Sequence, residues 1–231
     1  MLDVGRTLYV GPLGSVTSHQ AAVTAVLVAL DRPFEVTIDG VTATTESAVV
    51  PARTVHTLEI QGGRLAVLYL DPGMPPPAGL AVVDLRRAVG DALRHDSVES
   101  WRALLQVAQL EGAHRSMDPR VRTVAARLQT TPDVSSTAEE LADSVGLSVS
   151  RLEHLFRGEC GVPLRGYRGW YRMRRAAQHL LTGSSVTEAA HAAGFHDSAH
   201  YSNRFRQTFG VPPSLIFSRS LSGRVFETSN G

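Results

Sequence analysis

One stretch of the C-terminal half occurs twice, and an internal copy restricts the fold more than composition does. "FRGECGVP" (156–163) and "FRQTFGVP" (205–212) share Phe-Arg-x-x-x-Gly-Val-Pro at an offset of 49 residues. Upstream, "LADSVGL" (141–147) and "AAHAAGF" (189–195) match at an offset of 48. The slip of one residue reads as an insertion just after a turn. In each copy a small residue, Ala142 or Ala190, precedes Gly146 or Gly194 by four positions. The small side chain lets one helix approach the next, and glycine takes the left-handed conformation that ends a helix. Apolar anchors follow: Leu147, Leu152, Leu155 and Phe156 in copy one, then Phe195, Tyr201 and Phe205 in copy two. This spacing is that of a helix-turn-helix, and two copies in register are far more specific than one.

The segment between the copies, "PLRGYRGWYRMRRAAQHLL" (163–181), would span roughly 28 Å as a helix at 1.5 Å per residue. Major-groove faces on one side of B-DNA recur every ~34 Å. Such a helix can therefore hold two reading heads one turn apart. It carries Arg165, Arg168, Arg172, Arg174 and Arg175 with no acid among them. By itself that run is a solvated basic face; beside two helix-turn-helix units it points to phosphate contacts, at Arg172 and at Arg174 or Arg175.

Charge supports that division of labour. Residues 1–117 hold 9 Arg against 12 acids and residues 118–231 hold 14 Arg against 10, so the overall +1 hides a mildly basic C-terminal half. All 23 cationic side chains are Arg. The single cysteine, Cys160, excludes an internal disulfide framework and suits a reducing compartment. "AAVTAVLVAL" (21–30) is half the length of a membrane span and lacks a basic leader, so it is expected to be a buried strand. A cytoplasmic protein without a membrane span is the expectation.

Residues 7–70 alternate in period two. "FEVTIDG", "AVVPA", "HTLEI" and "RLAVLYL" are strand-like runs cut by Asp-Gly, Pro and Gly-Gly turns, which suggests a small sandwich or barrel. "DPGMPPPAG" (71–79) ends the pattern, because consecutive prolines join neither ladder nor helix. Helical periodicity follows, with one stripe of Leu80, Val83, Leu85, Val89 and Leu93 and another of Trp101, Leu104, Leu105, Ala108 and Leu110. This pair is able to cover the sheet or to dimerise. Beyond it, Asp118 caps a helix opened by Pro119, and Ser136 or Thr137 caps the next. The expected class is α+β, with a β-domain at 1–75, a helical segment at 80–112 and an all-α domain at 118–217.

Residues 118–217 resemble the DNA-binding domain of the AraC/XylS family of bacterial transcription regulators. "GFHDSAHYSNRFRQTFGVPP" (194–213) fits the family pattern GF-x-D-x-x-H/Y-F/Y-S-x-x-F-R-x-x-F-G-x-x-P at nearly every defined position. The family often continues Pro-Ser-x-Tyr-Arg, where this chain has "PSLIF" (213–217). The outward positions of the second helices are Ser150, Arg151, Glu153, His154 and Arg157, then Ser198, Ala199, Ser202, Asn203 and Arg206. The resemblance implies base contacts from Ser150, Glu153, His154, Ser198, Ala199, Ser202 and Asn203. Asn203 suits adenine, Glu153 a cytosine amine, His154 guanine or phosphate, and Ala199 a thymine methyl. DNA-backbone contacts are expected from Arg151, Arg157, Arg172, Arg174, Arg175, His200, Arg204 and Arg206.

His196 and His200 have the i,i+4 spacing of a metal pair. Asp197 between them is expected to cap the helix, which leaves His196 in the turn and the metal geometry unformed. The N-terminal run resembles, more faintly, the cupin-like barrel that often precedes this DNA-binding domain. The carrier is "VPARTVHTL" (50–58), with Arg53 where the cupin motif has Gly and with His19 in place of a first-motif histidine. The rest of that motif's ligands are missing, so neither a metal nor another cofactor is expected. An effector pocket would use His19, Arg53, His56 and Tyr69. The function expected is a DNA-binding regulator, not an enzyme, with double-stranded DNA, a small-molecule effector, a second copy of the chain and, for an activator, RNA polymerase as partners. The alternatives are a cupin-type enzyme with an accessory helical domain, and a DNA-repair alkyl acceptor. The latter needs a reactive thiol, whereas Cys160 stands where the second copy has Phe209, a core position.

Overall fold

The computed structural model describes residues 2–3, 6–73, 82–95, 97, 99–100, 103–104, 117–132 and 136–217. The chain divides into two compact units, one of residues 5–113 with residue 1 and one of residues 114–231 with residues 2–4. Most of the expected second helix at 97–112 and the linker after residue 73 lie outside the described residues.

Among the described residues the strands are β1 (Leu2–Asp3), β2 (Arg6–Pro12), β3 (Val16–His19), β4 (Ala25–Ala29), β5 (Phe34–Ile38), β6 (Val41–Thr45), β7 (Ser47–Val50), β8 (His56–Glu59) and β9 (Arg64–Leu70). They form two sheets, ordered β1-β2-β9-β4-β7 and β3-β8-β5-β6, rather than one closed barrel. Helix α1 spans Val82–His95. The β5–β6 hairpin turns on Asp39 and Gly40, both at positive φ (49° and 84°), as a two-residue hairpin of right-handed twist requires.

All five residues of β4 are buried, so the apolar run of the sequence is a central strand covered on both faces. Val26 and Val28 join Leu8, Ala66, Leu68 and Leu70 under Leu85, Val89 and Ala92 of α1. The apolar stripe of α1 is therefore used to cover the sheet. Leu93, expected in that stripe, is instead 39% exposed; the helical period carries it past the sheet, and Ala92 takes the buried position. On the opposite face Leu27, Leu65 and Val67 are buried, as are Phe34, Val36 and Leu58 of the second sheet.

The second unit is helical: α2 (Pro119–Thr130), α3 (Ala138–Asp143), α4 (Val149–Cys160), α5 (Leu164–Leu181), α6 (Val186–Ala192), α7 (Ser198–Phe209) and α8 (Pro213–Ile216). Asp118 caps α2 by accepting from the Arg120 amide, with Pro119 in the first turn. Thr137, not Ser136, caps α3; Ser136 is buried. α5 packs against α2, α4 and α6. No helix among the described residues is long and apolar enough to cross a membrane.

Candidate nucleic-acid interface

The repeat of the sequence is a repeat of structure down to single hydrogen bonds. Thr137 and Ser185 open the two units with reciprocal capping boxes, in which Glu140 and Glu188 reach back to the cap amides at 3.1 and 2.8 Å. The Glu188 carboxyl is held below its usual range by the Ser185 hydroxyl and amide. Gly146 and Gly194 turn the chain at φ +66° and +76°. The next amides, of Leu147 and Phe195, donate back to Ala142 and Ala190 at 3.0 and 2.9 Å. The Cβ atoms missing from both glycines are what let these turns form without strain. Ser148 and Asp197 cap the reading helices α4 and α7. Gly161 and Gly210 end them at φ +70° and +71°.

The inner face of each reading helix is closed by large apolar groups. Leu152, Phe156 and Cys160 of α4 are buried, and so are Tyr201 and Phe205 of α7. Phe156 meets Tyr167 of α5 edge-on at 5.1 Å, and Phe209 lies 6.1 Å from Trp170 of the same helix. Burial pushes the Cys160 thiol up to about 12, so it carries no thiolate at neutral pH.

The outer faces hold the expected readers. Ser150, Arg151, Glu153, His154 and Arg157 of α4 are exposed, as are Ala199, His200, Asn203, Arg204 and Arg206 of α7. Ser198 and Ser202 are half-buried. The side chains of Arg151, Glu153, His154, Arg157, Asn203 and Arg206 form no hydrogen bond or ion pair among the described residues. Arg204 reaches Gln207 at 3.4 Å. His196 sits in the turn with Nδ1 on Asp197 at 2.9 Å, while Asp197 accepts from the His200 amide at 2.7 Å. The cap separates the two histidines, and the His200 ring packs edge-on against Phe195 at 5.5 Å.

In the linking helix several of the arginines expected at phosphates have partners within the protein. The Arg172 Nε donates to the Pro132 carbonyl at 2.8 Å, and the Arg168 Nη2 donates to the Ser136 carbonyl at 2.6 Å. Arg174 lies over the Tyr171 ring, 5.5 Å from its centroid, and Arg175 is half-buried. The basic run thus has internal partners, because α5 is central to the unit and turns several of its positions toward neighbours. Gln129, which no motif marks, bridges the Tyr167 and Tyr171 hydroxyls at 2.7 and 3.1 Å.

In the first unit the structure brings His19 and His56 together. They are Cα partners across β3 and β8, both are buried, and their rings are 4.0 Å apart. A register shift between Val16 and His19 allows these residues, three apart, to face the same side. Each Nδ1 meets a carbonyl two residues upstream, Thr17 at 2.9 Å and Thr54 at 3.0 Å. A carbonyl only accepts, so each Nδ1 carries the proton and each neutral ring presents Nε2 as an acceptor. Burial and then the neighbouring His56 lower the His19 pKa to about 4; burial lowers that of His56 as well. Tyr69 lies opposite Thr7, on the face of β9 turned away from α1, and burial raises its phenol above the usual value. The Thr7 hydroxyl, which no sequence signal marks, is buried without a hydrogen-bond partner among the described residues. Arg53 does not join this group: it is exposed on a tight turn at φ +66°. Among the described residues no three of His, Cys, Asp and Glu gather as a metal site.

Parts of this chain are similar to known proteins. A helix-turn-helix domain family matches residues 141–219. The transcriptional activator NphR of Rhodococcus sp is 33% identical over 169 residues, 71% of this chain and 48% of that protein. The bifunctional transcriptional activator/DNA repair enzyme Ada of Escherichia coli (strain K12) is 37% identical over 75 residues, 32% of this chain and 21% of that protein. Its match is confined to the helix-turn-helix part. The chain thus spans about half or less of the length of these curated relatives. Among solved structures, wild-type ToxT from Vibrio cholerae strain SCE256, bound to an unsaturated fatty acid, aligns with a TM-score of 0.60 at 11% identity. That alignment covers 95% of this chain and 98% of ToxT, and it shows a shared fold alone. Two helix-turn-helix units of one construction, the helix that joins them and these matches identify the C-terminal domain as an AraC-type helix-turn-helix domain.

Proposed function

We propose that this protein is a sequence-specific DNA-binding transcription regulator that reads two successive major-groove segments per subunit. The observation that carries the reading is the pair of exposed, equally built outer faces on α4 and α7, each closed behind by an apolar core. Asn203, Glu153 and His154, with Ser150, Ser198, Ala199 and Ser202, face base edges, and Arg151, Arg157, His200, Arg204 and Arg206 contact phosphates. The inward engagement of Arg172, Arg174 and Arg175 favours a structural share for them. The N-terminal unit, cupin-like in its two facing sheets, senses a small molecule near His19, His56 and Tyr69; the paired imidazole acceptors favour a ligand with hydrogen-bond donors. The fatty acid held by ToxT, a protein of the same fold, supports a ligand-binding role for this unit. The protein acts in the cytoplasm as a homodimer, engaging RNA polymerase where it activates, and performs no chemistry of its own: the sealed Cys160 thiol argues against alkyl transfer.

Selection from a random duplex library tests this. Asn203→Ala and His154→Ala should each relax preference at one or two base pairs, by about 1–3 kcal/mol per contact. Unchanged selectivity in both variants would sink the assignment of readers.

A further inference from the structure

Arg168 and Arg172 lie one helical turn apart on α5 and hold the two ends of one connection. The Arg168 Nη2 donates to the Ser136 carbonyl at 2.6 Å, and the Arg172 Nε donates to the Pro132 carbonyl at 2.8 Å. Pro132 stands two residues past the end of α2, and Ser136 immediately precedes Thr137, the cap of α3. Both Pro132 and Ser136 are buried. Burial, followed by the charges of Arg172 and Arg127, lowers the Arg168 pKa, so bringing these guanidiniums together costs free energy that their hydrogen bonds must offset. A planar guanidinium, with its donors in a fixed fork, suits a directional tie to a carbonyl better than an ammonium does. The same helix also meets the second unit, where Trp170 packs against Phe209 of α7. One helix therefore carries a tie to each reading unit.

We infer that Arg168 and Arg172 are positioning residues: together they clamp the entry to α3 onto α5, and so set the offset of the first reading helix from the second. The inference rests on the DNA-reading proposal above. It departs from the expectation drawn from charge, in which Arg172 neutralises a phosphate. The two roles differ in an observable way. A lost phosphate contact weakens binding to every sequence and lowers the salt slope; a lost clamp disturbs discrimination in one segment and leaves that slope alone.

The experiment uses the full chain and a random-sequence duplex library as probe. Wild type and Arg172→Ala each select from the library, and the affinity for the wild-type consensus duplex is then measured across a salt series. The variants His154→Ala and Asn203→Ala assign the selected positions to α4 or α7. The expected result for Arg172→Ala is an about tenfold loss of discrimination at α4 positions, with α7 positions unchanged. The slope of log affinity on log salt should stay within about 0.3 of wild type. Arg168→Gln, which keeps a shorter planar donor, should show the same asymmetry in weaker form, and serves if Arg172→Ala fails to fold by circular dichroism. Uniform weakening with the slope reduced by about one would overturn the clamp in favour of a phosphate contact. Selection indistinguishable from wild type would overturn it too. A wild-type chain that enriches no sequence would remove the DNA-reading proposal and the clamp with it.

Discussion

His19 and His56 are buried, neutral and hydrogen-bonded through Nδ1 to the carbonyls of Thr17 and Thr54. Both titrate below the ordinary value, so in the acid range the unfolded chain binds protons that the folded chain refuses. Their stabilisation is fully present above about pH 6.5 and is lost as the pH falls toward about 4, the value for His19. The slope for His19 is about 1.4 kcal/mol per pH unit within that window. Asp31 has a separate and lower window, because its hydrogen bonds with Arg64 hold its pKa near about 2. Urea midpoints of wild type and His19→Gln between pH 7 and 4.5 distinguish the two groups. The variant should show the flatter curve, and parallel curves would mean that His19 does not titrate in this range.

At the level of elements, the two helix-turn-helix units rest on a few backbone positions whose side chains are absent by necessity. Gly146 holds φ at +66°, and nothing lies within 4 Å of the Cβ that alanine would add. Gly146→Ala should therefore destabilise by about 1–2 kcal/mol through backbone conformation alone. Gly158, inside α4 and equally open, is the opposite case: Gly158→Ala should stabilise by about 0.5–1 kcal/mol. Thermal unfolding of both variants checks the sign, and shifts in the same direction would contradict the conformational account. The signals for these turns were readable because glycine, the caps and the apolar anchors act over one or two helical turns. The inward use of Arg172 was not readable, since the same Arg spacing serves a solvated face and a buried tie.

For the whole molecule, the helical segment after the β-domain had two possible uses. In the structure the apolar stripe of α1 is spent on the sheet, with Leu85, Val89 and Ala92 fully covered. The homodimer proposed above is then expected to use surface other than this stripe, and sedimentation equilibrium at micromolar concentration should show a dimer. A monomer at that concentration would leave each subunit reading its two segments alone.

The amino-acid sequence alone determined the duplicated helix-turn-helix units, the joining helix, the strand content of the first 70 residues and the outward-facing positions of α4 and α7. These follow from local periodicity, caps and glycine positions, which act between near neighbours in the chain. The tertiary structure decided what depends on distant contacts. It split the strands into two sheets, and through a register shift in β3 it brought His19 onto the face of His56 while leaving Arg53 outside. It also gave Arg168 and Arg172 of α5 backbone carbonyls of the same unit as partners. Pairing register and the neighbours of a central helix are set by residues 30 to 40 positions away, and no local pattern records them.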